Sequence, residues 1–166
     1  MGFDIVTKNN VRERFKSAGR PDVWKDVSDK DWNNWIWQQQ KRIKNMEQLE
    51  KVIDVTDNER RAFEESVAMF QMGITPYYAS LMKSKDPNCP IRLQSVPIMD
   101  ELTVLKEDLE DPLAEERDMP VPGVTHRYPD RVLFYTTHNC PVYCRHCTRK
   151  RKVSDPSSAA ANKQLE

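Results

Sequence analysis

The chain has 166 residues, of which 38% are hydrophobic and 31% charged, and its 26 basic and 26 acidic side chains cancel to a formal net charge of zero. That balance argues against nucleic acid or an anionic membrane as partner, and no apolar run is long enough to span a bilayer. Eleven prolines and four glycines predict many extended connections within a chain long enough for one real core.

The first stretch, residues 1–24, reads as a polar arm, with Lys8, Arg12, Arg14, Lys16 and Arg20 and with Gly19 and Pro21 as helix breakers. Met1-Gly2-Phe3-Asp4 lacks the charged start and apolar centre of a signal peptide, so a reducing, cytoplasmic setting is expected.

A helical region follows over 25–118. Ser28 has the character of an N-cap, with Asp29 and Asp31 in the first turn. Trp32, Trp35, Ile36 and Ile43 then recur at helical spacing, which predicts one buried face, with a subunit interface as the second reading. A short helix is expected from Met46 to Val52. Thr56-Asp57-Asn58-Glu59 is a capping box opening a helix with Phe63, Val67 and Phe70 on one side. Gly73 would cap it, and Pro76 suits the first turn of another helix.

Ser84 to Pro97 reads as a connector, with Cys89 as an ordinary loop thiol. Pro97 to Asp118 is expected to be a helix and loop. Its carboxylates, Glu101, Glu115 and Asp118 among them, read as a solvated acidic face. Pro120, Pro122 and Gly123 lead into Arg131-Val132-Leu133-Phe134-Tyr135-Thr136-Thr137, a buried strand by length and β-branched and aromatic content, after a Pro129-Asp130 turn.

The loop leaving that strand holds Cys140, Cys144 and Cys147 at C-x3-C-x2-C spacing. Clustered thiols without a secretory signal indicate a metal centre rather than disulfides. Three thiolates suit an iron–sulfur cluster with one iron open to a ligand. They equally suit a zinc knuckle completed by His138, His146 or Cys89, and spacing does not choose. The basic run Arg149-Lys150-Arg151-Lys152 beside this loop suits anionic cofactors or a carboxylate substrate. Asp155-Pro156-Ser157-Ser158 looks like a helix start, and the chain ends inside that helix, as expected of an interrupted or trimmed frame.

Several stretches together resemble the lysine 2,3-aminomutase family of radical S-adenosylmethionine enzymes. They are Asp31-Trp32-Asn33-Asn34-Trp35, Ile74-Thr75-Pro76-Tyr77-Tyr78, Asp111-Pro112-Leu113, His126-Arg127-Tyr128-Pro129-Asp130-Arg131 and Tyr143-Cys144-Arg145-His146-Cys147-Thr148-Arg149. The resemblance covers about Lys25 to Val153 and implies the front part of an enzyme more than twice as long. The implied class is α/β: a helical N-terminal wrap, then, from 119 to 166, the start of a truncated partial (β/α) barrel. That start comprises a first strand at about 131–137, a cluster loop at 138–152 and the beginning of a helix.

The resemblance also implies the cofactors. Cys140, Cys144 and Cys147 would hold a 4Fe-4S cluster that binds S-adenosylmethionine. Arg127, Tyr128 and Arg131 would lie at pyridoxal phosphate, and Arg149 would pair with the substrate carboxylate. The implied reaction moves an amino group from C2 to C3 of a small amino acid, lysine by preference and glutamate as the alternative. A cluster-binding or zinc-binding module without catalysis is the other alternative. The family's pyridoxal-phosphate lysine has no counterpart here, so the truncated chain is expected to be inactive alone. A homo-oligomer is expected for the full-length enzyme, with a separate C-terminal fragment as a possible partner.

Overall fold

A computed structural model describes residues 19–66, 71–137, 139–150 and 152–153. The polar arm before Gly19, Val67 and Phe70 of the predicted helical face, His138, Arg151 and the helix start at Asp155 all lie outside the described residues. What is described is a mixed helix-and-loop chain with one small sheet, consistent with part of an α/β fold.

Six short helices carry the first part: α1 (Asp29–Trp32), α2 (Trp35–Gln40), α3 (Met46–Leu49), α4 (Asp57–Ser66), α5 (Pro76–Ser80) and α6 (Pro90–Leu93). Ser28 caps α1 as expected, its hydroxyl accepting from the Asp31 N–H at 3.1 Å. The Thr56–Glu59 capping box also forms: the Thr56 N–H donates to Glu59 Oε2 at 2.8 Å and the Glu59 N–H to Thr56 Oγ1 at 3.3 Å. Pro76 opens α5, with Thr75 at the cap position.

The tryptophan stripe is a correction. Asn34 breaks the expected helix in two, because its Oδ1 accepts from the Ile36 N–H at 2.9 Å and so starts α2 afresh. The spacing counted across that break no longer defines one face. Trp35 is 73% exposed and Ile36 47%, while Trp32 packs at a tilt between Trp24 and Trp37, with ring centroids 5.9 and 6.1 Å away.

The core is formed by Ile43, Met46, Leu49, Ile53, Met72, Ile74, Ala79, Met82 and Val96. Beside it lies a buried ion pair. Arg92 is fully buried, donates from Nε and Nη2 to the two Glu59 oxygens at 2.6 Å each, and reaches the carbonyls of Ser84 and Asp54 at 2.8 Å. One guanidinium thereby ties α4, α6 and two loops together, with its donors matched to oxygens as burial requires.

The expected strand is shorter and differently placed than the sequence suggests. It is the second arm of an antiparallel hairpin, β1 (Val124–Tyr128) with β2 (Arg131–Phe134). The Pro129-Asp130 turn makes the hairpin, and Tyr135 to Thr137 run on as irregular chain. All four residues of β2 are exposed. The expectation of a buried strand over 131–137 is corrected on both points, since no further strand pairs with β2 among the described residues.

A second pairing joins the two parts of the chain. Ile74 bridges Ile43 on one side and Val142 on the other, both antiparallel. Residues from the helical region thus lie backbone to backbone with the cysteine loop.

Candidate functional site: a clamped cysteine loop beside an arginine-lined cavity

The cysteine loop is held by backbone bonds far apart in sequence. The Tyr143 N–H donates to the Gly73 carbonyl at 2.8 Å, the Thr75 N–H to the Pro141 carbonyl at 3.2 Å, and the Arg145 N–H to the Gln94 carbonyl at 2.8 Å. Arg42 donates from Nη1 to the Cys140 carbonyl at 2.9 Å, and its guanidinium lies over the Tyr143 ring. Arg145 grips Glu101 through Nε at 2.9 and 3.1 Å. These contacts order a loop whose described residues form no helix or strand.

Cys140, Cys144 and Cys147 are half-buried and unbridged. Burial pushes the Cys140 thiol up, and the neighbouring Cys147 and Cys144 push it further, against the pull of Arg42. Burial and Cys147 do the same to Cys144. Thiols such as Cys140 and Cys144 that resist becoming anions suit a thiophilic metal centre, whose positive charge would reverse that penalty. Among the described residues no three His, Cys, Asp or Glu side chains stand in a closed metal-holding group. His146 is exposed, and Cys89 is buried in the connector, where its sulfur accepts from the Lys83 N–H.

The hairpin and the chain after the cysteines frame a cavity of about 380 Å³. Its lining includes Arg127, Tyr128, Arg131 and Arg149, so the structure brings together all four residues assigned to cofactor and substrate. Strand alternation accounts for part of this. Register places Thr125 opposite Leu133 and, past a bulge in β1, Tyr128 opposite Arg131, and Arg131 and Leu133 share one face of β2. Arg131 also lies over the Tyr128 ring, 5.0 Å from its centroid.

The sequence reading missed the partners of these arginines. Glu115 is 8% exposed; Arg149 donates to it through Nε at 2.8 Å and also through Nη2, and the Tyr135 hydroxyl donates to the same carboxylate at 2.8 Å. Burial would raise the Glu115 carboxyl, but the bonds from Arg149 and Tyr135 prevail and hold it below its ordinary value. Burial and that bond push Tyr135 up to about 12. Ala114, just before, adopts φ 51°, a left-handed conformation costing an L-residue roughly 1 kcal/mol. Asp118 accepts from Arg127 Nε at 3.2 Å, and the Leu113 carbonyl accepts from Arg127 Nη2.

The supposed acidic face therefore supplies counter-charges: Glu101 to Arg145, Glu115 to Arg149 and Asp118 to Arg127. A run of carboxylates gives no sign of which member turns inward. Only the arginines further along the chain hint that some of them pair.

No family model matches the chain. Curated relatives do. It is 48% identical to the L-lysine 2,3-aminomutase of Bacillus subtilis over 87% of this chain and 31% of that protein. It is 52% identical to that of Clostridium subterminale, over 80% of this chain and 32% of the other. The glutamate 2,3-aminomutase of Clostridioides difficile is 40% identical over 79% and 31% respectively.

The chain belongs to the lysine 2,3-aminomutase family. It spans about a third of the length of these relatives, consistent with an N-terminal portion. The family's relatives are named as aminomutases, which are isomerases. No helix among the described residues is long and apolar enough to cross a membrane.

Proposed function

We propose that this chain forms the cofactor-holding front of a radical S-adenosylmethionine, pyridoxal-phosphate-dependent 2,3-aminomutase acting on a small amino acid. The observation that carries the reading is the convergence of Arg127, Tyr128, Arg131 and Arg149 on one cavity. That wall suits an anionic, flat cofactor and a carboxylate substrate. When bound, a 4Fe-4S cluster with S-adenosylmethionine supplies a carbon radical, and pyridoxal phosphate carries the migrating amino group.

The chain's own residues bind and orient. Cys140, Cys144 and Cys147 would supply the three thiolates that hold the cluster. Arg127 and Arg131 neutralise a phosphate, Tyr128 offers a flat wall, and the planar fork of Arg149 matches a carboxylate. The clamp from Gly73, Thr75 and Arg42 fixes the cysteine loop relative to that cavity, and fixed geometry is a large part of catalysis.

In this reading β2 is the first strand of a partial (β/α) barrel, and the helices before it form a wrap. Lysine is the proposed substrate, because the lysine-acting relatives named above are more similar than the glutamate-acting one. The assembled enzyme is a cytoplasmic homo-oligomer, and the exposed Trp35 and Ile36 suit a subunit contact.

Anaerobic reconstitution with iron and sulfide tests the reading. An oxygen-sensitive cluster is expected, with an electron paramagnetic resonance signal that shifts on adding S-adenosylmethionine. Serine at any of Cys140, Cys144 or Cys147 lowers cluster content, whereas Cys89→Ser does not. Stoichiometric zinc with no cluster would instead establish the zinc module.

A further inference from the structure

We infer that Thr125 is a ligand-binding residue of the arginine-lined cavity, its hydroxyl donating a hydrogen bond to an oxyanion held there. The inference rests on the anion-binding role proposed for that cavity. Thr125 is 5% exposed, and its Oγ1 has no hydrogen-bond partner among the described residues. A buried hydroxyl without a partner costs about 1–3 kcal/mol, so its position needs a reason.

The surroundings supply one. Thr125 lines the cavity together with Arg127, Arg131 and Arg149. The register pairs Thr125 with Leu133 and, past a bulge, Tyr128 with Arg131, which puts Thr125 on the same sheet face as Arg131. Carboxylates already engage Arg127 and Arg149, whereas the Thr125 hydroxyl has no such acceptor. An incoming phosphate or carboxylate oxygen would provide it, with the guanidinium groups balancing the charge. A core role for the side chain would favour valine, which has the same shape without the orphaned hydroxyl.

Two anions share this chemistry: a cofactor phosphate and an amino-acid carboxylate. The test titrates the chain and its Thr125→Val and Thr125→Ser forms with inorganic phosphate and, separately, with acetate, following binding by calorimetry and folding by thermal melts. Thr125→Val is expected to melt no lower than the parent and to bind at least one of the anions roughly ten-fold more weakly, the loss of one charge-assisted bond. Thr125→Ser is expected to keep that affinity. Loss for phosphate alone assigns the hydroxyl to the cofactor, and loss for acetate alone to the substrate.

Equal affinities for Thr125→Val and the parent would overturn this inference and leave the cavity's anion-binding role standing. A parent that binds neither anion would overturn both. A Thr125→Val chain that melts lower or fails to fold would show that the hydroxyl serves the fold, which also overturns the inference.

Discussion

Arg42 and Cys140 are joined across the chain: the guanidinium donates to the cysteine's carbonyl at 2.9 Å while lying 5.2 Å from the centroid of the Tyr143 ring. A residue between two helices thereby fixes the first cysteine of the loop from outside. Replacing Arg42 with Ala removes a charged donor worth about 1.5–3 kcal/mol, less here because the site is half-buried. The expected outcome is a loop more open to proteolysis and a lower cluster content on reconstitution. Arg42→Lys recovers the charge but not the planar contact with the ring. Unchanged cluster loading in Arg42→Ala would mean the loop is held by its backbone bonds alone.

Gly73 meets Tyr143 at close quarters. A Cβ built on Gly73 would stand 2.9 to 3.2 Å from three atoms of the Tyr143 ring, closer than van der Waals contact allows. Gly73→Ala should therefore destabilise by about 1–3 kcal/mol through overpacking. Pairing it with Tyr143→Leu should cost less than the sum of the two single changes, because the ring is the obstacle. Strict additivity in chemical denaturation would show that the ring moves aside freely.

The sequence made the local signals legible and the pairings between distant segments obscure. The Ser28 and Thr56 caps formed as expected because a cap involves side chains and amides within one turn. The four cavity residues were named from motifs, not from geometry, and they do meet. The tryptophan stripe failed because Asn34 offers the backbone a local hydrogen bond that competes with helix continuation. The strand was found, but its partner was missed, since Val124 to Tyr128 contains His and Arg and has no apolar run. Glu115 could not be separated from its acidic neighbours, because its burial depends on Arg149, 34 residues away.

Trp35 is the converse case. A tryptophan that is 73% exposed contributes little to the fold, so Trp35→Ala should change the stability of this chain by no more than about 0.5 kcal/mol. Trp32→Ala should cost several times more, because Trp32 contacts Trp24, Trp37 and the Arg20 guanidinium. Parallel urea titrations of the two variants give the comparison, and equal losses would place Trp35 in the core after all.

Glu115 sets the ionisation of Tyr135. The phenol is pushed up to about 12 by burial and by its bond to the carboxylate. In Glu115→Ala the acceptor is gone and Arg149 has lost its partner, so the Tyr135 value should fall toward the ordinary 10.0. An alkaline absorbance titration of parent minus variant should show one tyrosine ionising earlier. Superimposable curves would mean that burial alone holds the phenol protonated.

Glu59 makes stability depend on acid. Burial would raise its carboxyl, but hydrogen bonds from Arg92 and Thr56 outweigh that and hold it below its ordinary 4.5. In the unfolded chain the group takes up a proton at higher pH than in the folded one. Its stabilising contribution is therefore complete above the unfolded value and disappears as pH falls through the folded value. Glu59→Gln should be destabilised at neutral pH by roughly 3–5 kcal/mol, because Arg92 is left buried without a counter-charge. Its stability should also fall less steeply on acidification than the parent's. Replacing both partners by Leu and Met should recover only part of the loss, since the carbonyls of Ser84 and Asp54 would lose their donor. Equal acid slopes for parent and Glu59→Gln in urea unfolding would show that this carboxylate does not carry the acid sensitivity.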